Sequence, residues 1–182
     1  MADAARQLLM YVVFPLWVGS GLADWFCHRA MRLPQTSGLR ENLLHVLMFA
    51  EMGLAVLAMA LLEINAAALL LVAACIASHE FTVWIDLRYS VARREVPPVE
   101  QMVHSAQELL PVTALALLVL MAWDQALALV GLGEASPDFR LRPKGQPWPL
   151  PGLLGCFALA VLANALPLAQ ETWACWRARQ RH

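Results

Sequence analysis

The chain has 182 residues, 60% of them hydrophobic and only 15% charged, with a mean hydropathy of +0.56. A soluble domain carries about a quarter charged residues, so the composition excludes an ordinary water-soluble globule and points to a bilayer. The net charge of −1 offers no basic surface to nucleic acid. Cys27, Cys75, Cys156 and Cys175 lack C-x-x-C spacing, which excludes a disulfide framework or zinc knuckle.

Residues 8–28 reach the roughly 20 apolar positions that a membrane helix needs, with a kink expected at Pro15. A cleaved leader fits less well, because the amino-terminal region offers only Arg6 against Asp3. The segment 29–40 carries Arg29, Arg32 and Arg40 among the breakers Pro34 and Gly38, and reads as a basic loop. A second span is expected over 41–62, and a third over 66–89 after a tight turn at Glu63-Ile64-Asn65. A second basic loop, with Arg88, Arg93 and Arg94, ends at Pro97-Pro98, a pair suited to a helix entry. The fourth span is then expected over 99–130. A long loop rich in Pro and Gly over 131–151 precedes a fifth span at 152–173 and an arginine-rich tail, whose terminal His182 reads as inert. Trp25, Trp123, Trp148, Trp173 and Trp176 read as an interfacial belt. The whole is read as one membrane domain, an all-α multi-pass bundle of five transmembrane helices with a four-helix ligand-bearing core and the fifth helix outside it.

Chemistry concentrates between Asp24 and Glu108, where four of the five histidines and nine of the fourteen acids lie. Asp24/His28, Glu41/His45 and Glu100/His104 are each four residues apart, one helical turn, so each pair shares a helix face. His79 and Asp86 share a face at a spacing of seven. In a five-span topology the two basic loops and the tail fall on one side, which the bias of arginine and lysine makes cytoplasmic. That places the amino terminus outside, the carboxy terminus inside, and the protein in a bacterial inner membrane. All four pairs then fall at one depth, near the cytoplasmic face.

Ionisable groups inside a span cost about 3 kcal/mol each even on lenient scales, and they mark function. Two divalent cations would compensate a set of this size. The proposed ligands are Asp24, His28, Glu41, His45, His79, Asp86, Glu100 and His104, with Glu51, Glu80 and Glu108 as candidates for bridging or proton transfer. In motif and architecture the stretch resembles the diiron-carboxylate four-helix-bundle proteins, whose helices each project one or two ligands inward. It departs from them in spacing ligands at i,i+4 rather than i,i+3 and in placing a histidine on every helix.

Imidazole with carboxylate suits iron, manganese or zinc. The expected cofactor is two divalent ions, with iron preferred. The expected function is an oxidoreductase or oxygenase acting on a lipid-soluble substrate, supplied by an unidentified electron donor; a homo-oligomer is an open alternative. The loop arginines suggest a substrate with an anionic head. Zinc would instead make the site a lipid hydrolase, and axial histidines would make it a haem-binding electron-transfer protein. A cation path through the membrane is less consistent, since its acids would be spread over the whole thickness.

Overall fold

The computed structural model describes residues 2–146 and 148–181; His182 lies outside them. It is all-α, with no strand among the described residues. Five helices are long and apolar enough to cross a membrane: α1 (Ala2–Ala30), α2 (Gly38–Leu61), α3 (Ala66–Ser90), α4 (Pro98–Met121) and, last, α6 (Leu150–Arg179). Between α4 and α6 lies the short α5 (Trp123–Leu129).

Two of the spans contain a widened π turn, at Leu9–Val13 in α1 and at Val161–Ala165 in α6. In each, a proline, Pro15 or Pro167, stands two residues after the turn ends. Proline offers no N–H and its ring crowds the preceding turn, and a π turn opens the helix there. The amide of Phe14 donates to Leu9 and that of Leu166 to Val161, each five residues back.

The fourth span is shorter than its apolar pattern predicts. Its helix breaks at Ala122, whose φ of −124° and ψ of 47° are not helical, and the break brings Gln125 over the start of α3. There its Oε1 accepts from the amides of Ala66 and Asp138. The loop after α5 folds back over the α2–α3 turn: the amide of Glu63 donates to Arg142 O, and that of Lys144 to Leu61 O. Lys144 Nζ donates to the carbonyls of Met59 and Leu62 at the end of α2. Burial lowers its pKa to about 8. Trp148 is buried against this end, not in a lipid-facing belt, with Lys144 Nζ 4.7 Å from its ring.

The apolar core occupies the half of the bundle nearer this loop. Ala55, Ala58 and Ala114 let helices approach closely while Met52, Met59, Leu69, Val72 and Leu118 fill the spaces between. Large apolar residues such as Leu47, Leu54, Phe81, Leu109 and Leu162 face outward, as lipid contact requires.

The fifth span lies at the periphery of the other four, with none of its most apolar stretch buried, but it is packed against them and carries the buried Glu171. Its second half packs on α2, and its π turn packs on α1. Asn164 Nδ2 donates to Val18 O at 3.1 Å. Gly21 makes this approach possible, since a Cβ there would lie 2.7 Å from Asn164 Nδ2. Gly21→Val is expected to push α6 from α1 and cost about 1–3 kcal/mol, a typical overpacking penalty, read as a lower thermal midpoint in detergent; an unchanged midpoint would refute the contact.

Candidate metal centre

At the end of the bundle opposite the core, α1, α3 and α6 finish while α2 and α4 begin. Asp24 and His28 on the last turns of α1, Glu41, Asn42 and His45 on the first turns of α2, Asp86 on α3, and Glu100 and His104 on α4 all reach this end, each largely hidden from solvent. Pro97 and Pro98 open α4, which sets Glu100 in its first turn.

Three groups of side chains here could hold a metal ion: Asp24, His28, Glu100 and His104; His28, His45 and Glu171; and Glu41, His45 and Asp86. In the first, Asp24 Oδ1 lies 3.0 Å from His104 Nε2 and 3.4 Å from His28 Nε2, with Glu100 Oε1 3.8 Å from His28 Nε2. Ligand atoms about 2.1 Å from one ion lie about 3–3.5 Å from each other, so most of these separations suit a shared ion. In the third, His45 Nε2 is 3.4 Å from Asp86 Oδ2.

Glu171 was not among the residues singled out by spacing. It sits 6% exposed on α6 and connects the two halves of the cluster. Its Oε2 accepts from His28 Nδ1 at 3.2 Å, its Oε1 accepts from Asn42 Nδ2 at 2.9 Å, and Oε1 is 3.9 Å from His45 Nδ1. With His28 Nδ1 directed at Glu171, its Nε2 lies toward Asp24 and Glu100. That nitrogen has no hydrogen-bond partner. A ring nitrogen facing carboxylates is satisfied by a proton or by a metal ion between them, and the second nitrogen of a metal-bound histidine commonly donates to a carboxylate in this way. The donor set therefore fits a metal ion.

Arg94 is the second residue that spacing did not reveal. Its two loop neighbours in the prediction, Arg88 and Arg93, lie over the rings of Trp84 and Tyr89, but Arg94 turns inward and is 8% exposed. Its guanidinium donates to Glu41 through Nη2 at 2.5 Å and Nε at 3.0 Å, and to Glu100 through Nη2 at 2.5 Å and Nη1 at 2.9 Å. Burial disfavours its charge, but the hydrogen bonds to Glu100 and Glu41 outweigh that and raise its pKa. Glu41 and Glu100 are thus anchored by Arg94 before any ion engages them.

The other predicted residues are placed differently. His79 belongs to none of the three groups; its nearest carboxylate is Glu51, 4.0 Å away. Glu51 accepts from Ser78 and Thr82 at 2.6 and 3.0 Å. Glu80 is half-buried with an unpartnered Oε1. Of the three candidate glutamates, Glu108 alone, among the described residues, lines the cavity between the spans.

That cavity, about 430 Å³, runs between all five spans. Asp24, His28, His45, Asp86, His104 and Glu171 line its polar end, and Phe14, Trp17, Phe49, Met52, Val56 and Phe157 line its apolar length. A second hollow of about 510 Å³ reaches His28 and Glu171 from the side of Arg29, Arg32 and Gln170.

No protein-family model matches the sequence, and no curated protein or solved structure is significantly similar to it.

Arg94→Met leaves Glu41 and Glu100 buried without their cation and is expected to cost about 3–5 kcal/mol, measured by unfolding in mixed detergent. Arg94→Lys, a point charge without the planar fork, is expected to recover only part of this. Wild-type stability in Arg94→Met would show that the ion pair is not a structural element.

Proposed function

We propose that this protein holds two metal ions, iron by preference, at the cytoplasmic end of a five-span bundle, and that it oxidises or oxygenates a lipid-soluble substrate. The observation that carries the reading is the convergence of histidines and carboxylates from five helices at the polar end of an otherwise apolar cavity. Nine of the thirteen arginines and lysines belong to the loops, helix ends and tail at this same end, which supports the cytoplasmic orientation.

One ion is assigned to Asp24, His28, Glu100 and His104, the other to Glu41, His45 and Asp86. Glu171 orients His28, and Arg94 fixes Glu41 and Glu100. Five carboxylates against one guanidinium leave four negative charges, the number that two divalent ions neutralise. Bound iron supplies one-electron and O₂ chemistry. The apolar walls exclude water and admit the substrate from the membrane, and Glu108, on the cavity wall, is placed to pass a proton. A haem between His28 and His45 is disfavoured, because their rings stack 4.5 Å apart with an interplanar angle of 9° and leave no room for a macrocycle.

One observation favours the zinc-dependent hydrolase as a second reading. The hollow beside Arg29 and Arg32 could seat an anionic lipid head next to His28.

Protein purified from iron-replete cells is expected to carry about two irons per chain by plasma mass spectrometry, and His104→Ala and His45→Ala are each expected to lose about one. Two zincs would transfer the site to hydrolysis, and full metal content in both variants would overturn the ligand assignment. Glu171→Ala is expected to weaken metal affinity by about 10–100-fold, the usual effect of removing a carboxylate behind a ligating histidine; unchanged affinity in a competition assay with a chelator would refute that role.

A further inference from the structure

His79 stands seven residues before Asp86 on α3, about 10 Å along the helix axis from it, and lines the same apolar cavity. It is 7% exposed, and neither ring nitrogen makes a hydrogen bond of full geometry, the backbone of Met48 being a main-chain neighbour of the ring. Behind it, Glu51 Oε2 is 4.0 Å from His79 Nδ1 and is also unpartnered. Glu51 is itself held by Ser78 and Thr82. Two buried polar atoms, His79 Nδ1 and Glu51 Oε2, therefore face each other in the cavity wall about two turns from Asp86, and His79 Nε2 is a third buried atom without a side-chain partner. Buried polar groups are ordinarily satisfied, so this point calls for a polar atom from a ligand.

The chemistry of that ligand follows from its surroundings. A neutral imidazole offers one N–H and one lone pair, which complements a hydroxyl or carbonyl oxygen and gives no anchor to an alkyl chain. The adjoining walls carry Trp17, Phe49, Phe157, Met48 and Met52. Aromatic faces and thioethers pack well on planar rings, and the cavity volume is within the range that holds a small molecule.

We infer that His79, backed by Glu51, binds a hydroxyl or carbonyl oxygen on a lipid-soluble aromatic or quinonoid ring whose body fills the cavity. The inference rests on the reading of the cavity as the substrate site. His79 is a specificity-determining residue in this arrangement, and the ring enters from the membrane with its far edge toward Asp24 and His104.

The test uses full-length protein in detergent, titrated calorimetrically with a short-chain alkyl benzoquinone, with metal content measured on the same samples. Wild type is expected to bind one ring per chain and to lower the carbonyl stretching frequency of the bound quinone. His79→Phe, which keeps an aromatic volume but no ring nitrogen, is expected to bind at least about tenfold more weakly, to lose the frequency shift and to keep its metal. His79→Gln, which retains a donor and an acceptor, is expected to recover most of the affinity, and it keeps the test open if His79→Phe fails to fold. Ring binding that ignores both substitutions, no binding to metal-loaded wild type, or loss of metal in step with His79 would each overturn the inference. Metal-free wild type that binds the ring through His79 would support it while refuting the metal centre, so the two failures are distinguishable.

Discussion

Five carboxylates share one buried arginine at one end of an apolar bundle, and the rest of the structure is arranged around that imbalance. Asp24, Glu41, Asp86, Glu100 and Glu171 come from five different spans, and Arg94 engages only two of them. Charges inside a span are expensive unless compensated, and a buried ion pair broken on one side is strongly destabilising. Arg94 settles Glu41 and Glu100. The remaining negative charge is left facing imidazole nitrogens, and the pair of divalent cations proposed above would answer both needs at once.

The scaffold separates packing from chemistry along the membrane axis. Small residues and branched chains fill the half covered by the 131–149 loop, while the opposite half leaves room for the cavity and the ligating groups. The two π turns before Pro15 and Pro167 lie in the spans that face each other across Gly21 and Asn164. That contact brings α6 close enough for Glu171 to reach both His28 and Asn42. A residue without a side chain in α1 thus bears on the orientation of a histidine about two turns away in the same helix.

The sequence makes the five spans legible because their apolar lengths are unmistakable, and Pro97-Pro98 marks the start of α4 almost to the residue. The i,i+4 acid–histidine spacing places three pairs on single faces, and the structure brings all three to one end. Periodicity cannot say which carboxylate meets which neighbouring helix. Glu171 carries no histidine one turn away, so spacing passes it over; being the one acid inside the fifth span was the available signal. Arg94 stands beside Arg93 in a loop, and nothing local tells which of the two turns inward. His79 matches a seven-residue spacing with Asp86, but two turns of helix set it away from Asp86 and outside the three candidate groups. The end of α4 was misplaced because apolar character continues through Ala122, where backbone geometry and the Gln125 contacts decide the break.

The proposed metal centre is assembled from five helix ends, with His28 held from behind by Glu171 and Glu41 and Glu100 held by Arg94. X-ray absorption at the metal edge of the purified protein tests it most directly. The account predicts a first shell of nitrogen and oxygen donors with a second metal about 3.5–4 Å away, the usual separation in two-metal sites. A porphyrin-like shell, an isolated ion without a metal neighbour, or no bound metal would contradict it.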